Sequence, residues 1–221
     1  MPRQVRTTPR KRPRQDRSRA TVDSVLAATA RVLVRRGFDG LTTNEVAAAA
    51  GVSIGSLYQY FPNKAALVAA LVEQHVDEMS ALVTAELARV ARLPAAEAIR
   101  AVIEAILRAH AVEPALHRVL SEQVPRVGRM AKLREVEALS ERMVAALLRA
   151  RADELDVGDP ELAAFVVVSA IEAITHRASL FAPDRLADPR LVDEACAMVG
   201  RYLGVAMPRA GRAPRARREA A

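Results

Sequence analysis

The chain has 221 residues, 51% hydrophobic and 27% charged, a globular composition with enough apolar material for a substantial core, so disorder throughout is excluded. Only 3% is aromatic, Trp is absent and strong helix formers dominate, so an all-α fold is expected over a β-rich one. The single cysteine, Cys196, excludes an intramolecular disulfide and a Cys-x-x-Cys metal site, and its apolar helical surroundings mark it as a buried small hydrophobe of a reducing, cytoplasmic compartment.

Residues 1–19 carry eight Lys/Arg against one Asp and are rich in Pro. Such an arm cannot bury enough apolar surface to fold and is expected to be disordered, yet beside a DNA-binding element it can neutralise phosphates. A second basic tail, 207–221, has five Arg against one Glu, which leaves the stretch between the two arms net acidic. No secretory signal is expected, because Asp23 and Arg31 interrupt the mild apolar pattern after the arm. The longest charge-free apolar run, Leu162 to Ile171, is too short to cross a bilayer, so no membrane partner is expected.

Val22, Val25, Leu26, Thr29 and Leu33 recur at helical spacing and predict a first helix over about 20–36, closed by Gly37. Thr42 stands three residues before Glu45 as a capping box, which starts a short second helix at Thr43 that Gly51 interrupts. Ser53 can cap a third helix reaching Tyr60, and Pro62 with Asn63 separates it from a fourth over about 64–92. Beyond residue 93, prolines at helix starts divide the chain into five more helices, 94–111, 114–123, 128–156, 160–181 and 189–205.

The stretch Thr43 to Tyr60 meets the steric demands of a helix-turn-helix. Ala47 is small where two helices cross, Gly51 supplies the left-handed turn, and Val46, Ala50, Val52 and Leu57 face inward. On the outward face, Ser53, Gly55, Ser56, Tyr58, Gln59 and Tyr60 offer hydroxyls, an amide and close backbone approach with no carboxylate to repel phosphate. Lys64, at the start of the fourth helix, adds its charge to that helix's positive end.

The run TTNEVAAAAGVSIGSLYQYFPNKAALVAAL, from Thr42, resembles the DNA-binding signature of TetR-type bacterial transcriptional regulators in its TT, AGVS, LYxYF and following Lys. The close resemblance covers about residues 20–72. It implies an N-terminal three-helix DNA-binding domain (20–66) and a C-terminal helical ligand-binding and dimerisation domain (67–206), about nine helices in all. It also implies that Thr43, Ser56, Tyr58, Tyr60 and Lys64 lie at phosphates or nearby bases, and that Asn44 and Gln59 fall where base edges are read.

The same resemblance implies a small-molecule pocket enclosed by helices four to eight, and pairing of helices eight and nine across a two-fold axis. The segment Phe165 to Phe181 is apolar on nearly every side in its first half, too much for a helix with one solvated face. Phe165, Val167, Ala170, Glu172, Ile174 and His176 are therefore expected at a dimer interface, and His110, Met143 and Ser169 in the pocket. A metal site is not expected, because Pro114 breaks the helical spacing that would align His110, Glu113 and His117. No nucleophile–base order or phosphate-cradling loop appears, so neither an enzyme nor a cofactor is expected. The expected partners are double-stranded DNA, a second copy of the chain and an unidentified small-molecule effector whose binding releases a palindromic operator. The alternative is a sequence-indifferent DNA-packaging or bridging protein in which the basic arms dominate.

Overall fold

The computed structural model describes residues 16–123 and 127–208; most of both basic arms lies outside the described residues. Those residues form nine α-helices and no strand. Helix α1 (Asp16–Gly40) begins four residues before its expected start and is broken at Gly37, whose φ of 66° only glycine adopts without strain. Thr42 opens α2 (Thr43–Ala50), its hydroxyl accepting from the Glu45 N–H at 3.2 Å. At the other end Gly51 turns left-handed with φ 68°, and the N–H groups of Gly51 and Val52 return to the carbonyls of Ala48 and Ala47. Ser53 caps α3 (Ile54–Tyr60) and Asn63 caps α4 (Lys64–Arg89), which runs on through a 3-10 turn to Arg92.

The second half comprises α5 (Ala95–Val112), α6 (Pro114–Gln123), α7 (Met130–Arg149), α8 (Pro160–Phe181) and α9 (Pro189–Leu203). Asp159 caps α8 and Asp188 caps α9, each followed by proline at the first helical position, where the missing N–H costs nothing. Helix α7 is shorter than the expected 128–156. The chain leaves it after Arg149 in a series of turns that carry Arg151 inward, onto the carbonyls where α4 ends and α5 begins.

Two hydrophobic clusters result. One joins α1, α2, α3 and the first two turns of α4, and also takes in Leu120 of α6 and Val127. The other joins α5, α7, α8 and α9 around Ile103, Leu107, Ile171, Cys196 and Val199. Because α6 packs on α1, the expected boundary near residue 66 does not separate the two clusters; α4 and α6 belong to both halves. Helix α8 is the one helix among the described residues long and apolar enough, by length and composition, to cross a bilayer. It packs against α5, α6, α7 and α9, and its apolar surplus is divided between an interior cavity and an exposed face.

Candidate nucleic-acid interface and interior cavity

The reading head is held by short-range contacts. Glu45 of α2 pairs with Arg35 and, at 3.6 Å, with Arg36, while Arg31 donates to the Ala49 carbonyl at 3.1 Å, so the last turns of α1 grip both ends of α2. Val46, Ala47 and Leu57 are buried at the crossing of α2 and α3. That packing leaves Asn44, Ser53, Gly55, Tyr58 and Gln59 exposed and Thr43 and Ser56 half-buried, on a surface where α3 carries no acidic group. The Tyr58 hydroxyl lies 3.0 Å from Thr43 Oγ1, and Ser53 Oγ lies 2.9 Å from Ser56 Oγ, so hydroxyls of both helices are set side by side.

Two residues expected on this face are placed elsewhere. Tyr60 is 9% exposed and belongs to the head's core, because it points to the side of α3 that packs inward with Leu57. The Lys64 ammonium donates to the carbonyls of Phe38 and Asp39 at 3.1 and 3.2 Å and lies 4.9 Å from the centre of the Phe38 ring. Its charge thus lies against carbonyls of the last turn of α1, as a cation at a helix C-terminus does. Lys64→Ala is expected to lower stability by about 1–2 kcal/mol, read as a shift in the urea midpoint, with little change in the salt dependence of DNA binding. A salt slope lower by about one unit would return Lys64 to the phosphates.

Behind the head, α4, α5, α6, α7 and α8, with Val199 and Leu203 of α9, line a partly open cavity of about 500 Å³. Its wall is aliphatic over most of its extent, with Val76 and Val83 of α4, Ile99 and Ile106 of α5, Val144 of α7 and Val168 of α8 among its residues. His110 lines it as expected; Met143 and Ser169 do not, since their neighbours Val144 and Val168 take the inward positions on the same helices. Val167, Glu172 and His176, expected at the dimer interface, face this cavity instead. Phe165, in the first two turns of α8, is exposed, while Ala170 and Ile174 are half-buried.

The cavity's histidines are gathered together. All four histidines of the chain, His75 of α4, His110 of α5, His117 of α6 and His176 of α8, line it. The ring centres of His110 and His117 are 4.3 Å apart, and those of His117 and His176 are 5.3 Å apart and stacked. Pro114 does not keep these residues apart, because α5 stops at Val112 and α6 begins at Pro114, folding His117 back beside His110. Burial, reinforced by the neighbouring imidazoles, holds His117 down to about 3; burial and His176 outweigh the backbone bond of His110 and hold it down to about 4. Burial, with Glu137 and Glu141 nearby, lifts the Glu172 carboxyl to about 7. His75 and the convergence itself were invisible in the sequence, where the four residues span a hundred positions.

A three-helix head with an acid-free recognition face, joined through one long helix to a cavity-bearing helical body, defines a helix-turn-helix DNA-binding regulator. Residues 25–71 match the bacterial regulatory proteins of the TetR family, and residues 94–203 match the tetracyclin repressor-like C-terminal domain. The chain belongs to the TetR family of transcriptional regulators. It is 46% identical over 55 residues to the uncharacterized HTH-type transcriptional regulator YvaF of Bacillus subtilis, an alignment covering 25% of this chain and 28% of that protein. The chain thus spans under a third of the length of the curated relatives it matches. A TetR-family regulator structure from Mesorhizobium loti superposes with a TM-score of 0.70 at 18% identity, over 86% of this chain and 98% of that one. FadR, a fatty acid degradation regulator from Bacillus halodurans, superposes with a TM-score of 0.64 at 15% identity, over 86% and 96% of the two chains. At these identities the structures share the fold.

Proposed function

We propose that the protein is a homodimeric, effector-released repressor, acting in the cytoplasm, that places one α3 per subunit in successive major grooves of a palindromic operator. The observation that carries this reading is the double membership of α4: Ala66 to Val72 lie in the head's core, whereas Val76, Met79, Val83 and Leu87 line the cavity. A ligand that fills the cavity acts on the helix that positions the reading head. Release then requires the ligand to bind the DNA-incompetent spacing of the two heads more tightly, and a 100-fold loss of operator affinity needs about 2.7 kcal/mol of such coupling. The effector class that suits the wall is a largely apolar molecule with one polar group toward the histidines.

The test is an operator selected from random DNA and footprinted with the purified protein. A bounded, two-fold symmetric footprint supports the reading; even protection along any duplex would instead favour the packaging protein. With that operator, Gln59→Ala is expected to change preference at particular base pairs by about 1–3 kcal/mol, because an exposed amide on α3 can pair with a base edge. Uniform weakening across all sequences would remove Gln59 from base reading.

A further inference from the structure

The histidine cluster of the cavity has the makings of a coordination site. A ligating nitrogen from each of His110, His117 and His176 lies within 4.8 Å of the other two. Three imidazoles around a zinc-sized ion at about 2.0–2.1 Å require nitrogens about 3.4 Å apart, so modest ring rotations close the set. The hydrogen bonds of two of the rings bear on which nitrogen is free to ligate. His110 Nδ1 lies 2.8 Å from the Ile106 carbonyl, which can only accept, so the proton is on Nδ1 and the lone pair is on Nε2. His117 Nδ1 lies 2.8 Å from His75 Nε2, and His117 Nε2 is buried with no hydrogen-bond partner. A buried, unpartnered nitrogen costs free energy unless something else engages it. If His117 donates Nδ1–H to His75, its Nε2 lone pair is left free to ligate, and His75 becomes the orienting outer partner that ligating histidines commonly have.

The geometry points to a divalent transition-metal site formed by His110, His117 and His176, oriented by His75, with a fourth position open to the cavity. Imidazole nitrogens select late first-row ions such as zinc, nickel and copper over calcium or magnesium. Neutral imidazoles are the competent form, and burial keeps His110 and His117 neutral at physiological pH. Three protein ligands with one exchangeable position leave room for water or for a donor atom of a molecule held in the cavity. The ion would also tie together the two halves of the fold. His75 sits on α4 and His117 on α6, the two helices that enter the head's core through Val72, Leu116 and Leu120, whereas His110 and His176 sit on α5 and α8 of the body.

The test uses the full chain without an affinity tag, stripped with a chelator and titrated with Co²⁺ as a visible probe and then with Zn²⁺ as competitor. One equivalent per chain, a d–d absorption band of a four-coordinate nitrogen site and its displacement by Zn²⁺ are expected. His117→Gln and His110→Gln should each weaken binding by at least about 100-fold, and His75→Ala by about 10–100-fold. His75→Gln, whose amide oxygen can still accept from His117, should restore the band. Each variant is checked by circular dichroism, and a Zn²⁺-dependent rise in melting temperature in the parent chain, absent in a folded His117→Gln, gives a second readout. Absence of a saturable band below millimolar Co²⁺, or a band that survives His117→Gln, overturns the site. Because binding is measured on the protein alone, its failure leaves the repressor reading untouched, and loss of operator binding would leave the metal site standing.

Discussion

Phe165→Glu is expected to give a monomer that no longer binds operator DNA. Phe165 is 53% exposed on α8, and Leu162 and Val166 beside it are exposed as well, as are Met198 and Tyr202 on α9. A run of large apolar side chains on the outer face of these helices is what the proposed two-fold contact would bury. In a two-fold interface each substitution occurs twice, so two carboxylates would lose water without gaining partners. The combined cost of several kcal/mol exceeds what most interfaces can lose. Sedimentation at micromolar concentration should show one chain per particle, with operator affinity down by at least about 1,000-fold because each head then binds alone. Retention of the dimer would move the interface off this face. A charge at Val167 provides the contrast: Val167 lines the cavity, so Val167→Asp should lower thermal stability while leaving the assembly intact.

What could be read from the sequence was local. Thr42, Ser53, Asp159 and Asp188 cap the helices whose starts they mark, because a capping side chain acts on an N–H two or three residues ahead, and that distance is written in the chain. Gly37 and Gly51 carry the positive φ their positions require. Errors arose where a residue's neighbours come from distant elements. Tyr60 looked like part of a polar face, but seven residues of α3 make only two turns, and the turn ending at Phe61 rotates Tyr60 into the core with it. The hydrogen bonds of Lys64 have no local signature, because the carbonyls it meets belong to residues 26 and 25 positions away. Apolarity all round α8 indicated that two sides are covered, but not which side faces the cavity and which the exterior; the phase is set by packing against α7. The histidines, on four helices, have no shared local pattern at all.

Arg151→Met is expected to be the most destabilising substitution outside the hydrophobic clusters. Arg151 is 9% exposed, and one terminal nitrogen of its guanidinium donates to the carbonyls of Val90, Ala91 and Leu93 at 2.9, 2.9 and 3.1 Å. These carbonyls belong to the turn between α4 and α5, where that of Val90 also accepts from the Leu93 N–H at 3.0 Å. The other terminal nitrogen reaches the Leu147 carbonyl at 3.3 Å and so binds that turn to the end of α7. Methionine keeps much of the aliphatic stem's volume, so the substitution removes the donors while preserving most of the packing. Removing the buried guanidinium's donors from these carbonyls should cost about 3 kcal/mol or more, and for a chain of this size that lowers the melting temperature by roughly ten degrees. The functional consequence follows from position. Val90 and Arg151 both line the cavity, and the bond between them fixes the far end of the helix whose near end carries the reading head. A folded Arg151→Met should therefore lose coupling between cavity and operator. In linkage terms, the affinity of the cavity's ligand should become equal with and without DNA, while the parent protein keeps the difference. An unchanged melting temperature would mean that water replaces the guanidinium at these carbonyls, and the clamp would then have no part in transmission.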